Sequence, residues 1–259
     1  MSSTQYGFFT SNIDSLFDRA DVQGDVWYNK KKISRDTPIF RYTSLLSLLQ
    51  ILEGSIHFST RKAFSDRREQ GEYKDPILKL EHTENILLGK RNNFIHSKNK
   101  AFRLSETFFV SCWSLSPEES YPMWRAYTFD RYGIRIEATL GSIIDSINFS
   151  NCQRVYISPI AYGEEKDLIS PMDILFYKTN GYSIENEVRI YAIANNNCSD
   201  SQKTHIFGHD FSLDPSTFLK GFSFSPFLNP SEQCRIASLL FSRYEWLQEI
   251  ITSSCIMEY

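Results

Sequence analysis

The chain has 259 residues, with 28 Lys and Arg, 31 Asp and Glu and 41% hydrophobic residues, enough for one elaborated domain with its own core. It has no apolar run approaching about 18 residues and no basic segment ahead of an apolar stretch at its start, so we expect neither a membrane-spanning helix nor a signal peptide. Five scattered cysteines without a CxxC pair predict a reducing, cytoplasmic compartment and no disulfide framework or metal cluster.

The first part of the chain predicts an arm, then a strand and a helix. Residues 1–36 are polar and are expected to form a helix and a loop, as an arm over the domain. Residues 37–43 predict a short strand, and residues 44–54 carry apolar side chains at helical spacing. Ser44 is placed to cap this helix and Gly54 to end it.

The remaining elements predict more strands than helices. Residues 55–60 alternate as a second strand, whereas residues 61–103 are charged and predict a helical or loop insertion outside the sheet. Further strands are predicted at 107–114, 132–138, 152–163, 186–194 and 218–225. Helices are predicted at 117–130, 170–180 and 230–250, the last within a C-terminal helix and tail over 226–259. The pattern predicts a single α+β domain over 1–259, with a mainly antiparallel sheet that can be split.

Two glutamates lie at the start of the strand predicted for residues 186–194. Glu185 and Glu187 are two residues apart, so in an extended chain their side chains point to the same face. Glu187 also shares a face with Arg189 and Tyr191. The spacing is compatible with one pocket shared by both carboxylates, or with a solvated strand edge where Arg189 neutralises a glutamate.

Polar side chains at the ends of the first two strands form a second candidate group. Arg41 and Tyr42, followed by Thr43, stand where a strand enters a helix, a position suited to a bidentate clamp on a phosphate. Ser59 and Thr60 end the next strand, where a hydroxyl can bind a ribose or position a glutamate. An ordinary strand-end charge and a common Ser-Thr pair are the alternatives.

Aromatic residues between positions 108 and 132 are numerous enough to line a wall for a flat ring or, alternatively, to fill the core. They include Phe108, Trp113, Trp124, Tyr127 and Tyr132. His205 and His209 have metal-ligand spacing but lie in a glycine-containing loop, so no zinc site is predicted. The chain lacks the phosphate-loop, dinucleotide-fold, nucleophile-elbow and zinc-protease motifs, which disfavours most kinases, NTPases, dehydrogenases and hydrolases.

Charge is distributed unevenly along the chain. Residues 1–103 carry 17 Lys and Arg against 12 Asp and Glu, whereas the remaining residues carry 11 against 19. A basic first part suits a polyanion such as RNA, DNA or a dinucleotide, although a mosaic surface without function gives the same count. The basic side chains that favour a nucleic-acid strand are Arg61, Lys62, Arg67, Arg68, Lys90, Arg91, Lys98 and Lys100.

Several segments together resemble a bacterial family catalogued as a domain of unknown function, which looks like a divergent branch of the ADP-ribosyltransferase superfamily. The resemblance covers roughly residues 38–192, and the combination of FVSCWS, MW and ENEVRI is its most specific part. The matching segments are RYTSLLSLLQILEG, IHFSTRKAFSDRRE, FFVSCWS, YPMWRAY, YGIRIEA and IENEVRIY, with SFSPFLNPSEQ similar to a later one.

The resemblance implies an ADP-ribosyltransferase core with peripheral helices and NAD as co-substrate, without a metal. In that superfamily a basic residue on the first strand, a serine–threonine element on the second and a late catalytic glutamate embrace NAD. Arg41 matches the first, Ser59 and Thr60 the second and Glu187 the third. Which of the two hydroxyls meets NAD stays open.

The same resemblance suggests a role for each remaining candidate. Glu187 would stabilise the positive charge on the ribose, and Glu185 would orient or deprotonate the acceptor. Tyr42 or Trp113 would stack on nicotinamide, with Thr43 and Tyr127 also in the NAD site.

Some members of the superfamily are toxins of phage-defence systems, including one that modifies messenger RNA and is paired with an antitoxin and a chaperone. The resemblance therefore implies an RNA acceptor, an antitoxin and a chaperone as partners. Two other interpretations stay open. The chain could be an RNA-cleaving toxin that needs no NAD, using His57, His96 or Glu187 as acid and base, or an inactive subunit that senses NAD or another nucleotide.

Overall fold

The structure is a computed structural model that describes residues 18–20, 25–60, 108–128, 132–163, 176–194 and 208–256. The insertion predicted for 61–103, with its basic side chains, lies outside the described residues. Most of the predicted N-terminal arm and residues 170–175 of a predicted helix also lie outside them. His96 and His205 fall in these undescribed parts of the chain.

Strands form most of the described regular structure, as the strand-rich sequence predicts. In chain order they are β1 Asp18–Ala20, β2 Val26–Tyr28, β3 Pro38–Ser44, β4 Ser55–Thr60, β5 Phe108–Ser114, β6 Gly133–Thr139, β7 Cys152–Pro159, β8 Ala161–Gly163, β9 Tyr177–Thr179, β10 Glu187–Ala194, β11 Gly208–Ser212, β12 Gly221–Phe224 and β13 Ile251–Thr252. The predicted strands at 37–43, 55–60, 107–114, 132–138 and 186–194 are confirmed to within a residue.

Helices are fewer and short. They are α1 Leu45–Leu52, α2 Tyr121–Tyr127, α3 Leu140–Ser146, α4 Pro215–Phe218 and α5 Pro230–Arg243, with 3-10 helices at Asn180–Glu185 and Glu245–Glu249. The Ser44 hydroxyl accepts a hydrogen bond from the Ser47 backbone N–H, so the predicted cap of α1 is confirmed. Gly54 follows α1 with a φ of 85°, a left-handed conformation that favours glycine.

The main sheet is mixed but mostly antiparallel, in the order β1-β2-β7-β10-β5-β3-β6-β12-β13 with β4 and β11 joined at its side. Within the described residues its parallel pairs are β2 with β7 and β12 with β13. The α+β class with a mainly antiparallel sheet is therefore confirmed.

The sheet divides at β5. One edge of β5 pairs along its whole length with β10, from Ser114 opposite Glu187 to Phe108 opposite Ile193. The other edge is shared, because β3 pairs with its last residue and β4 with Val110 and Phe109 near its start. Strands β3 and β4 therefore diverge from the same edge of β5.

Alternation along β5 defines two faces of the sheet around this strand. Face A is the side on which Ser111 and Trp113 lie, and face B is the side of Cys112 and Ser114. The largest hydrophobic cluster covers face A and includes Trp113, with helices α1 and α3 packed on it. A smaller cluster on face B contains Val110, Tyr156, Ile160, Phe176 and Tyr191.

Several predicted elements differ from the structure. The described part of the N-terminal segment forms β1 and β2 of the main sheet instead of a helix. The strand predicted for 152–163 divides into β7 and β8, which belong to different sheets, and the strand predicted for 218–225 is confined to β12, because Phe218 ends α4. The helix predicted for 170–180 is wrong at its end, because Tyr177–Thr179 is a strand that pairs in parallel with β8. The helix predicted for 117–130 is confined to α2, and the one predicted for 230–250 divides into α5 and a 3-10 helix. Among the described residues no helix is long and apolar enough to span a membrane.

We predict that Gly133→Ala destabilises the fold. A Cβ at this position, where β6 begins, would lie 2.5 Å from the Cβ of the buried Thr128. Overpacking of this kind costs about 1–3 kcal/mol, which urea unfolding at constant temperature would measure. Gly181→Ala is the control, because nothing lies within 4 Å of its added Cβ, and its change should stay within about 0.5 kcal/mol. Equal unfolding free energies for the two variants would contradict the packing argument.

Candidate active site at the start of strand β10

Strand β10 starts with Glu187, and the turn before it is fixed from both sides. The preceding residue, Asn186, has a φ of 41°, in the left-handed region that asparagine tolerates better than most residues. The Asn186 carbonyl accepts from the Leu115 N–H at 2.8 Å, and the Glu187 N–H donates to the Tyr162 hydroxyl at 2.8 Å. The Glu187 carbonyl accepts from the Ile160 N–H. These contacts hold the backbone of Glu187 between β5 and the β7–β8 connection.

The Glu187 side chain points into face B and is buried, with 3% of the residue exposed. Its Oε1 accepts a hydrogen bond from Arg189 Nε at 2.6 Å. Its Oε2 lies 2.8 Å from Lys178 Nζ and 3.4 Å from Arg189 Nη2. Two cations on different strands therefore hold one carboxylate below the surface.

Glu185 reaches the same cluster by a different route. It is the last residue of a 3-10 helix and not part of β10. The alternation of side chains along β10 therefore does not determine the direction of its side chain. Its Oε2 lies 2.6 Å from Lys178 Nζ, and its Oε1 accepts from the Tyr127 hydroxyl at 2.8 Å. The two glutamates share the Lys178 ammonium, and Arg189 neutralises Glu187 in a buried site instead of at a solvated edge.

The two carboxylates have opposite pKa shifts. Burial alone would raise the pKa of Glu187, but the charges of Arg189 and Lys178 outweigh it and lower this pKa to about 2. For Glu185, burial raises the pKa and the attraction of Lys178 offsets only part of the rise. Paired acids whose environments separate their pKa values are typical of acid–base sites, with one group ionised and the other able to exchange a proton.

Tyrosines surround the cluster where it meets the surface. Tyr127 and Tyr182 are 42% and 37% exposed, and the neighbouring Ile184 is 57% exposed. Lys178 Nζ lies 5.0 Å from the centroid of the Tyr182 ring, so this ring lies close to the shared ammonium. Burial raises the pKa of Tyr162 to about 12, so this tyrosine stays protonated at neutral pH. The exposed rings form an apolar rim on which a flat group can stack.

Cys112 lies beside Glu187 on face B. Burial and the negative charge of Glu187 raise the pKa of its thiol well above the ordinary value. The thiol therefore remains protonated, and Cys112 is not suited to act as a nucleophile.

Arg41 is not brought together with Glu187. Its Nη1 donates to the Ser111 hydroxyl at 3.1 Å, and its guanidinium lies 5.9 Å from the Trp113 ring, so it belongs to face A. The register agrees, because Phe40 pairs with Ser114 on face B and its neighbour on β3 must point the other way. Arg41, the candidate phosphate clamp, therefore lies on the opposite face of the sheet from the two acids.

The two hydroxyls that end β4 also separate. Ser59 pairs with Val110 and lies on face B, whereas Thr60 pairs with Phe109 and lies on face A. Across the sheet Ser59 is aligned with Val110 of β5, which is opposite Tyr191 of β10. Along β10, Tyr191 is four residues, or about 13 Å, from Glu187. Of the two hydroxyls, only Ser59 shares the face of the acids, and it does not contact them.

The remaining candidates have structural contacts. Tyr42 lies on face B, where its hydroxyl accepts from the Ser120 N–H and its ring packs edge-on against Trp124. Thr43 is buried on face A. Trp113 is 2% exposed in the main core and donates to Ser111 at 2.9 Å, so its ring offers no open surface for stacking. Among the candidates for the NAD site, Tyr127 is the one that touches the acids.

No local sequence pattern indicates Lys178 and Tyr162 as site residues. Lys178 falls in a segment predicted as helix, whereas as part of β9 it lies beside the glutamates. Both residues reach the cluster through pairing between β8 and β9, which a single sequence does not reveal.

Within the described residues, no group of three or more His, Cys, Asp and Glu side chains is placed to hold a metal ion. Comparison with protein-family models and with curated proteins finds no match to this chain.

We predict that the stability contributed by the Glu187 carboxylate depends on pH. Its pKa is lower in the folded state, so the contribution is complete above the unfolded pKa, near 4.5, and is lost as the pH falls towards 2. Glu187→Gln should lower the unfolding free energy at pH 7, and this difference should shrink by about 2 kcal/mol at pH 3. Urea unfolding of both proteins at each pH measures it.

Asp145→Asn provides the control for this experiment. Asp145 forms an exposed ion pair with Arg35, and such pairs contribute little to stability. A Glu187→Gln difference that stays the same from pH 7 to pH 3 would contradict the ionised, ion-paired state of this carboxylate.

Proposed function

We propose that the protein is a glycosyl-transferring enzyme that uses NAD as donor and transfers ADP-ribose to an acceptor. The observation that carries the proposal is the buried pair of carboxylates on face B, one held ionised and the other with a raised pKa. The split, mainly antiparallel sheet and the resemblance of residues 38–192 to an ADP-ribosyltransferase branch support the same class.

Glu187 supplies negative charge at a fixed place. The bond between nicotinamide and ribose C1′ breaks so that nicotinamide leaves neutral and positive charge develops on the sugar. A preorganised carboxylate stabilises that charge without reorganising during the reaction. Lys178 Nζ lies between Glu185 and Glu187, so the two carboxylates already bind one cation at this position. In our proposal the cationic sugar carbon approaches this position as Lys178 withdraws.

In the proposed reaction Glu185 acts as the general base for the acceptor. A new bond forms between C1′ and an acceptor oxygen or nitrogen, and the acceptor proton passes to the Glu185 carboxylate. Its raised pKa makes it a stronger base than an ordinary glutamate, and the Tyr127 hydroxyl fixes its orientation. The exposed rings of Tyr127 and Tyr182 provide the surface for the nicotinamide or a base of the acceptor.

The acceptor we propose is RNA, as the basic composition of residues 1–103 favours a polyanion. An antitoxin and a chaperone remain proposed partners, by the same resemblance.

The test measures nicotinamide release from NAD and transfer of labelled ADP-ribose to separate pools of RNA, DNA and protein. Glu187→Gln should lower both rates by about 100-fold or more, because it removes the charge that stabilises the transition state. Glu185→Gln should lower transfer more than nicotinamide release, because it affects the acceptor step. Tyr127→Phe retains the ring and should give a smaller loss than either.

Thermal unfolding of each variant shows whether a loss of activity reflects a loss of fold, and Asp145→Asn serves as the folded control. Nicotinamide release that survives Glu187→Gln in a folded protein would overturn the proposal. Cleavage of RNA without NAD would instead identify an RNA-cleaving toxin, and NAD binding without nicotinamide release would identify a sensor.

A further inference from the structure

A second site lies on face A, in a cleft between β3, α1 and β4. Its volume is about 250 Å³, part of which is open to solvent. Its polar lining consists of Arg41, Thr43, Ser47, Gln50 and His57, and three isoleucines complete the wall. The cleft exists because β3 and β4 diverge from the same edge of β5.

Arg41 brings an uncompensated charge to this cleft. It is half-buried, and among the described residues it forms no ion pair with a carboxylate, its hydrogen-bond partner being the Ser111 hydroxyl. Burial lowers the pKa of Arg41, as expected for a cation without an anion beside it. Arg189 and Arg154, by contrast, are paired with carboxylates. A desolvated arginine of this kind gains free energy when an anion binds.

Neutral hydrogen-bonding groups surround the guanidinium. Thr43 is only 8% exposed, and neither its hydroxyl nor the Gln50 amide bonds to another described side chain or backbone group. Ser47 adds a hydroxyl whose described neighbour is Ser44, at 3.1 Å. His57 contacts Asp210, with 2.7 Å between its Nδ1 and the carboxylate. Among the residues that line the cleft, Arg41 is the one with a permanent charge.

We propose that this cleft binds the terminal phosphate of a small ligand, independently of the acids on face B. Arg41, Thr43, Ser47 and Gln50 offer more hydrogen-bond donors than the two oxygens of a carboxylate can accept from. A terminal phosphate has three acceptor oxygens and matches this number of donors better. A recessed arginine also suits a terminal phosphate, which is attached to its ligand through one oxygen. A backbone phosphodiester is attached on both sides and enters a recess less easily.

Isothermal titration with inorganic phosphate and with a nucleoside 5′-monophosphate tests the proposal, with the unphosphorylated nucleoside as a probe without charge. The unaltered protein should bind both phosphates and not the nucleoside. Arg41→Gln should weaken binding about tenfold or more. Arg41→Lys should weaken it less, because lysine keeps the positive charge but cannot donate two parallel hydrogen bonds to the phosphate. Arg35→Gln removes a surface charge outside the cleft and should leave the affinity unchanged.

Two further variants keep the test decisive should Arg41→Gln fold poorly. Thr43→Val and Gln50→Met preserve shape and remove one hydrogen-bonding group each, and both should weaken phosphate binding. Glu187→Gln should retain it, which separates this site from the proposed enzymatic one. Equal affinity in the unaltered protein and in folded Arg41→Gln, Thr43→Val and Gln50→Met would overturn the proposal, as would no binding to the unaltered protein. Equal competition by single-stranded RNA with a 5′-hydroxyl would also overturn it in favour of a backbone phosphodiester.

Discussion

Strand β5 contacts the strands that carry most of the candidate functional residues. It pairs with β10 on one edge and with both β3 and β4 on the other. Because side chains alternate along a strand, this one strand decides which groups meet. Cys112 and Ser114 lie on the face of the acids, whereas Ser111 and Trp113 lie on the face of Arg41. The division of the sheet also opens the cleft on face A, so both candidate sites follow from the pairing of β5.

The cluster on face B balances its charges within a buried space. Burying two carboxylates without cations would be costly, and here Lys178 and Arg189 compensate them. The balance is unequal, because Glu187 contacts both cations and Glu185 only one. That difference, together with burial, separates the two pKa values and gives each acid its own proposed role. A third cation on this face, Arg135, is committed elsewhere, because it donates to the carbonyls of Ser116 and Pro117.

Separating Arg41 from Glu187 changes how a dinucleotide can be accommodated. A ligand at the acids on face B does not contact the Arg41 guanidinium, which a strand separates from them. The groups that the structure places near the acids are tyrosine rings and Lys178, which suit a ring and a sugar better than a pyrophosphate. The face A cleft has the complementary character, with a cation, hydroxyls, an amide and an imidazole, and no Phe, Tyr or Trp among its described lining residues. The two sites therefore suit different chemical groups.

The local elements and the alternation within each strand follow from the amino-acid sequence alone. Leucine spacing and Ser44 predict α1, and the pattern of β10 places Glu187, Arg189 and Tyr191 on one face, because both follow from the backbone geometry of a single segment. Which faces of these elements lie together depends on how distant segments pack. Lys178 is distant from β5 in sequence, and Arg41 and Glu187 are each correctly placed on their own strands yet point to opposite sides of the sheet. Strand order and register depend on pairing between distant segments, and a shift of one residue reverses every side chain, so no local pattern reveals them.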